Sequence, residues 1–169
     1  MRAQQSSLIN LIQRTIGQPT FGAEVGVWRG LLSESLLGWF PRLTLAMVDP
    51  WLPYPQMPMT PAIESEARQR TKRFRGRARI YKGLSVEMAE RFYDKSLDFV
   101  FIDADHRYEH IKADIAAWYP KIRQGGLLSG HDYGGRRYHK GVKRAVTEFI
   151  DEYGGKLILK RGRVWGVKI

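Results

Sequence analysis

The sequence predicts an α/β fold: a Rossmann-like, doubly wound, mostly parallel sheet with a C-terminal antiparallel hairpin. Three observations carry that prediction. Apolar runs at residues 43–48 and 97–102 have the length and continuity of strands buried on both faces. Helical patterns alternate with such runs along the chain. At or near the strand ends stand Glu24, Asp49, Asp103, Asp105 and Asp132. In open parallel sheets the carboxyl ends of the strands face the ligand crevice. One acidic tip is uninformative, whereas a repeated set marks that edge as a site.

The chain is organised around residues 22–30, Gly-Ala-Glu-Val-Gly-Val-Trp-Arg-Gly. A strand is expected over 22–27, then a helix to about Phe40, with Leu31, Leu32, Ser35, Leu36 and Trp39 on one face. Gly26 permits a turn that residues with a Cβ resist, and it lets backbone approach a ligand. Such a strand-turn-helix unit points free N–H groups at the crevice. The same pattern also suits a plain βα turn.

Ahead of this unit, Ser6 or Ser7 can cap a helix carrying Leu8, Leu11, Ile12 and Ile16, which packs on the sheet edge or covers the cofactor. Behind it, strand two ends at Asp49, which is placed to accept hydrogen bonds from ribose hydroxyls or to sit solvated in a loop. In the ribose role, Asp49→Ala is expected to weaken cofactor binding and leave the fold intact. Residues 50–61 hold five of the eight prolines and form a loop, either a substrate lid or a packed surface loop.

A helix is expected over 62–74. The basic residues from Arg68 to Lys82 read as a solvated helix face or as a nucleic-acid patch. Only Phe74 and Tyr81 interleave with them, too few aromatics for single-strand stacking. Strand three covers 78–82, and a helix then runs through Phe92. Ser85 either touches the adenine of a nucleotide-like cofactor or caps that helix. Strand four runs into Asp103-Ala-Asp105-His106, a helix covers 107–119, and strand five leads to Gly130-His131-Asp132-Tyr133. A basic loop covers 134–140 and a helix 142–153. Arg161-Gly162 makes the turn of the final hairpin.

Composition bounds the function. A chain of 169 residues fits one domain, residues 1–169. It has no cysteine, which excludes disulfides and thiolate metal sites. Neither a signal peptide nor a membrane span is expected, so the expected location is cytoplasmic. A net charge of +11 points to an anionic substrate or partner and to weak, nonspecific nucleic-acid binding. Two motifs are decoys. The G-x-G-x-x-G of a nicotinamide dehydrogenase is absent, with Gly26 and Gly30 alone in place. His106-x-x-Glu109-His110 has the H-x-x-E-H spacing of some zinc peptidases, without an evident third ligand.

Glu24-Val-Gly26 with Gly30, Val48-Asp49, the run from Phe101 to His106 and Gly130-His131-Asp132-Tyr133 resemble class I S-adenosylmethionine-dependent methyltransferases. The resemblance is to the small group related to macrocin-type and other natural-product sugar O-methyltransferases, and it covers the chain from about Gly22. It implies that Glu24, Gly26 and Gly30 serve the methionine end of S-adenosylmethionine. By the same resemblance Asp49 takes the ribose, Ser85 lies by the adenine, and Asp103 begins the catalytic edge. Trp28 stands where many class I enzymes carry a further glycine. In relatives such as catechol O-methyltransferase, acids at these strand ends hold magnesium, which implies Mg2+ on Asp103 and Asp132.

Transfer from a sulfonium to a hydroxyl is an in-line displacement in which the enzyme supplies alignment and removes a proton. A divalent ion on Asp103 and Asp132 serves that end. So does His106 or His131 as general base. The leading expectation is O-methylation of a small, sugar-like hydroxyl substrate. Its rival is a basic RNA-binding protein or nucleic-acid methyltransferase on the same scaffold.

Overall fold

A computed structural model describes residues 3–53, 61–134 and 140–169. The middle of the proline-rich loop (54–60) and most of the basic loop (135–139, with His139) lie outside the described residues. Seven strands form one sheet: β1 (Phe21–Val25), β2 (Thr44–Asp49), β3 (Ala78–Lys82), β4 (Leu97–Ile102), β5 (Ile122–Gly130), β6 (Leu157–Lys160) and β7 (Val164–Lys168). Their order is β3-β2-β1-β4-β5-β7-β6. The first five are parallel, β7 runs antiparallel to β5, and β6 antiparallel to β7. The helices are α1 (Ala3–Thr15), α2 (Leu31–Trp39), α3 (Pro61–Thr71), α4 (Ser85–Ala89), α5 (Tyr108–Trp118) and α6 (Lys140–Tyr153). The strand order reverses between β1 and β4, the crevice where such sheets bind ligands.

Side chains alternate across each strand, and around the central strands β2 and β4 both faces are apolar, so these two read as continuous runs. Ala23, Val25, Ala46, Val48, Val100 and Ile102 face α4, α5 and α6. Leu45, Met47, Phe99 and Phe101 face α1, α2 and α3. The buried face of α2 is Leu32, Ser33, Leu36 and Leu37, with Trp39 50% exposed. That corrects the expected face, which held Ser35 and Trp39. The helix is rotated so that the Ser33 hydroxyl can donate to buried Glu24 at 2.6 Å.

The basic stretch is explained mostly by local contacts. Arg68 pairs with Glu64 at 2.7 Å, Arg70 with Glu66 at 2.7 Å, Arg73 with Glu34 at 3.1 Å and Lys82 with Glu64 at 2.5 Å. The Arg77 guanidinium donates to the carbonyls of Leu37, Phe40 and Leu43, at and just beyond the end of α2. These contacts favour the helix-face reading over a nucleic-acid patch. Among the described residues, no helix is long and apolar enough to cross a membrane.

Candidate active site

A cavity of about 470 Å³ opens over the carboxyl edges of β1, β2 and β4, a volume typical of small-molecule sites. Gly26, Asp49 and Asp103 line it from the strand tips, and Ser85 and Asp114 from α4 and α5. Gly26 has φ +93°, and a Cβ there would lie 2.2 Å from the Asp103 carbonyl oxygen. Only glycine lets the first turn cross the tip of β4 so closely.

Asp49 ties two loops together. Its Oδ2 accepts the N–H groups of Val27 and Trp28, both at 2.9 Å, and its Oδ1 accepts that of Trp51 at 2.7 Å. The Trp51 indole N–H returns to the Trp28 carbonyl at 2.9 Å. Trp28 and Trp51 have φ of 51° and 46°, backbone that bulky residues adopt only when held. The first of these explains the departure at position 28: a glycine would take that φ without strain, and here the Asp49 carboxylate holds a tryptophan in it.

A different cluster sits at β4 and β5. His106 Nε2 lies 3.5 Å from Asp103 Oδ1 and 3.3 Å from Asp132 Oδ2. His131 Nδ1 lies at the same distances from the same two oxygens. The outer oxygens are anchored from elsewhere: Gln4 Nε2 donates to Asp103 Oδ2 at 2.5 Å, and Arg163 Nη2 lies 2.9 Å from Asp132 Oδ1. His131 Nε2 is 2.7 Å from the Gly162 carbonyl, which can only accept, so Nε2 carries a proton and Nδ1 is the atom turned inward. Burial opposes both charges, yet the histidines hold Asp103 down at about 2 and the two carboxylates lift His131 to about 10. Asp103, His131 and Asp132 each offer one ligand atom within 4.8 Å of the others, a set that one divalent cation would span. Two carboxylates and an imidazole anchored through its second nitrogen fit a metal centre, and the nitrogen donor suits manganese as well as magnesium.

Glu24 behaves in the opposite way. Burial pushes it up to about 8, with the nearby Asp103 and Asp49 adding to the rise against the Ser33 hydrogen bond.

A family model described as a methyltransferase domain matches residues 23–133. The chain belongs to that family. It is therefore a methyltransferase, built on the fold of the class I S-adenosylmethionine-dependent enzymes. No curated protein matches it. Among solved structures it resembles the O-methyltransferase NovP, with 19% identity over 98% of this chain and 79% of that one and a TM-score of 0.78. A putative caffeoyl-CoA O-methyltransferase from Staphylococcus aureus is 18% identical over 100% and 84%, with a TM-score of 0.75. CalS11, a TDP-rhamnose 3'-O-methyltransferase of calicheamicin biosynthesis, is 16% identical over 98% and 78%, with a TM-score of 0.69.

The residues of this methyltransferase expected at the site do not all reach it alike. Asp103, His106, His131 and Asp132 converge. Gly26, Asp49, Ser85 and Asp103 line the cavity. Glu24 lies buried in β1, and neither it nor Gly30 is among the lining residues. Gly30 opens α2 at φ 73° and packs against Ala67 of α3. Asp49→Ala would strand three backbone amides, which corrects the expectation that the fold stays intact. The zinc-like pair is not assembled: His110 lies 3.9 Å from Asp105, while His106 faces Asp103 and Asp132. Gln4, Gly162 and Arg163 are additions, and no local motif in the sequence marks them.

Proposed function

We propose that this methyltransferase moves the methyl group of S-adenosylmethionine to a hydroxyl oxygen of a small, sugar-like substrate with the help of a divalent cation. The observation that carries the reading is that Asp103 belongs both to the cavity and to the carboxylate–imidazole cluster. The cofactor, when bound, supplies an electrophilic methyl group on a sulfonium. Gly26 and the turn held by Asp49 shape its place, and Asp103 sets the boundary between cofactor and acceptor. Glu24, neutral beneath the turn, is a carboxyl that the amino end of the cofactor can draw into ionisation.

Asp103, His131 and Asp132 would hold the cation, which when bound lowers the pKa of an acceptor hydroxyl. His131 is fixed through Gly162 as a ligand rather than as a carrier of protons. His106 reaches the same carboxylates and is the residue we assign to taking the hydroxyl proton. Lys140 and Lys143 line an open depression of about 550 Å³ with Gly134, beyond the end of β5, where Arg144 is paired with Glu148 at 2.9 Å. Their charge supports an anionic substrate. A sugar is supported by the resemblance of the sequence and by the TDP-rhamnose named for CalS11. A cytoplasmic setting is part of the proposal, and cell fractionation tests it.

Calorimetry with S-adenosylmethionine, S-adenosylhomocysteine and NAD on one sample tests the cofactor. Binding of NAD alone would overturn the reading. Activity on sugar nucleotides, in chelator and after return of magnesium or manganese, tests the cation.

A further inference from the structure

The turn between β6 and β7 grips three consecutive residues beyond the end of β5. The Gly162 carbonyl accepts from His131 Nε2 at 2.7 Å, Arg163 Nη2 lies 2.9 Å from Asp132 Oδ1, and the Tyr133 N–H donates to the Arg163 carbonyl at 3.1 Å. From β7, the Trp165 indole N–H donates to the His131 carbonyl at 3.2 Å. Asp132 and Arg163 have φ of 60° and 61°, so both ends of the ion pair sit in left-handed backbone, which residues with a Cβ adopt at a cost. The turn is itself held from behind. A Cβ on Gly162 would lie 3.2 Å from the Gln4 backbone nitrogen, and the Gln4 side chain donates to Asp103 Oδ2. Asp103, His131 and Asp132 are therefore each fixed from outside the set, and each offers one ligand atom within 4.8 Å of the others.

We propose that Arg163 is the positioning residue that fixes the geometry of this cation site and makes it take magnesium in preference to calcium. The inference rests on the cation reading above and adds to it a selectivity residue in the C-terminal hairpin. Magnesium demands near-ideal octahedral geometry at short range, whereas calcium accepts longer and looser oxygen shells. Ligands held in place from outside suit the first, and ligands free to swing suit the second. A guanidinium on Oδ1 fixes the direction in which Oδ2 of the same carboxylate points, as outer partners do for metal ligands in general. The guanidinium charge carries no such preference, because it opposes every divalent cation alike.

The test uses the whole protein with no acceptor present. Bound manganese is read by electron paramagnetic resonance, with magnesium and calcium titrated in as competitors. The wild type is expected to prefer magnesium. Arg163→Gly keeps the turn, because glycine takes the left-handed φ without strain, and removes the guanidinium. It is expected to lower the ratio of magnesium to calcium affinity by about tenfold. Loss of charge alone would tighten both cations by one factor and leave the ratio unchanged, and that result overturns the proposal. Arg163→Lys keeps the charge on a flexible stem and serves if the glycine variant does not fold. It too is expected to lower the ratio, and an unchanged ratio counts against the proposal in the same way. A wild type that takes both cations alike, or prefers calcium, overturns the selectivity role alone. A wild type that holds no manganese overturns the cation reading as well.

Discussion

The tips of β1 and β2 and the tips of β4 and β5 carry the same kind of residue and use it in different ways. At the first pair, the Asp49 carboxylate is surrounded by three backbone amides of the chain itself, and Glu24 is buried against a serine hydroxyl. The Asp49 charge is solvated there by the chain's own amides. At the second pair, the outer oxygens of Asp103 and Asp132 are anchored by Gln4 and Arg163, and the inner oxygens point at two imidazoles. A carboxylate saturated by amides shapes a turn. Two carboxylates aimed at one point can hold a cation or move a proton. Acidic strand tips therefore mark a site, but the donors around each one decide whether it builds the site or reacts in it.

The largest effect that would break this comparison lies at β5. Asp132→Asn is expected to lower turnover by about 100-fold or more, because the cation would lose a charged ligand, with little change in melting temperature. Initial rates on a sugar substrate, with melting curves alongside, measure it. Full turnover of that variant in chelator would remove the cation from the mechanism. At β2 the balance should be reversed. Asp49→Ala strands three amides, and a loss of about 2–4 kcal/mol is expected, a fall of about 5–15 °C in melting temperature. A variant that melts like the wild type but binds S-adenosylhomocysteine poorly would make Asp49 a ligand residue like those at β4.

Glu24 sharpens the contrast through pH. Its carboxyl titrates near 4.5 when unfolded and near 8 when folded. Between those values the unfolded chain has released a proton that the folded chain keeps. Stability from this group therefore falls as pH rises, by up to about 1.4 kcal/mol per unit, and levels off above 8. Glu24→Gln lacks this dependence. Denaturation midpoints of the cofactor-free protein should show the variant level with the wild type near pH 4 and ahead of it at pH 9. A constant offset across that range would show that Glu24 ionises normally inside the fold. The smallest effect is at Trp28. Trp28→Gly removes about 1 kcal/mol of left-handed strain and should raise the melting temperature by a few degrees at most. The gain should grow in the Asp49→Ala background if the carboxylate is what holds the turn.

Much of the architecture was legible in the chain. Strands buried on both faces show as apolar runs, so β2 and β4 fall within a residue of their expected bounds, and the short edge strand β3 falls where its alternating residues placed it. The convergence of Asp103 and Asp132 was legible too, because each stands within two residues of the end of a strand whose neighbour could be anticipated. The phase of α2 was not. Serine and tryptophan positions satisfy the same helical period, and the choice between Ser33 and Ser35 depends on which one meets Glu24 across the fold.

The reach of local pattern ends where partners come from distant segments. Apolar period, glycine placement and acidic strand ends are properties of neighbouring residues, and they were enough to read the fold class and to point to the sheet edge where the cavity opens. Hydrogen-bond partners are set by distances between segments far apart in the chain. Gln4 meets Asp103 across 99 positions, and Gly162 fixes His131 across 31. Asp49 became a clamp because the amides of Val27, Trp28 and Trp51 arrive within 2.9 Å of it. Which carboxylate is satisfied and which is left aimed at the site follows from where donors lie in space, and folding alone brings those donors together.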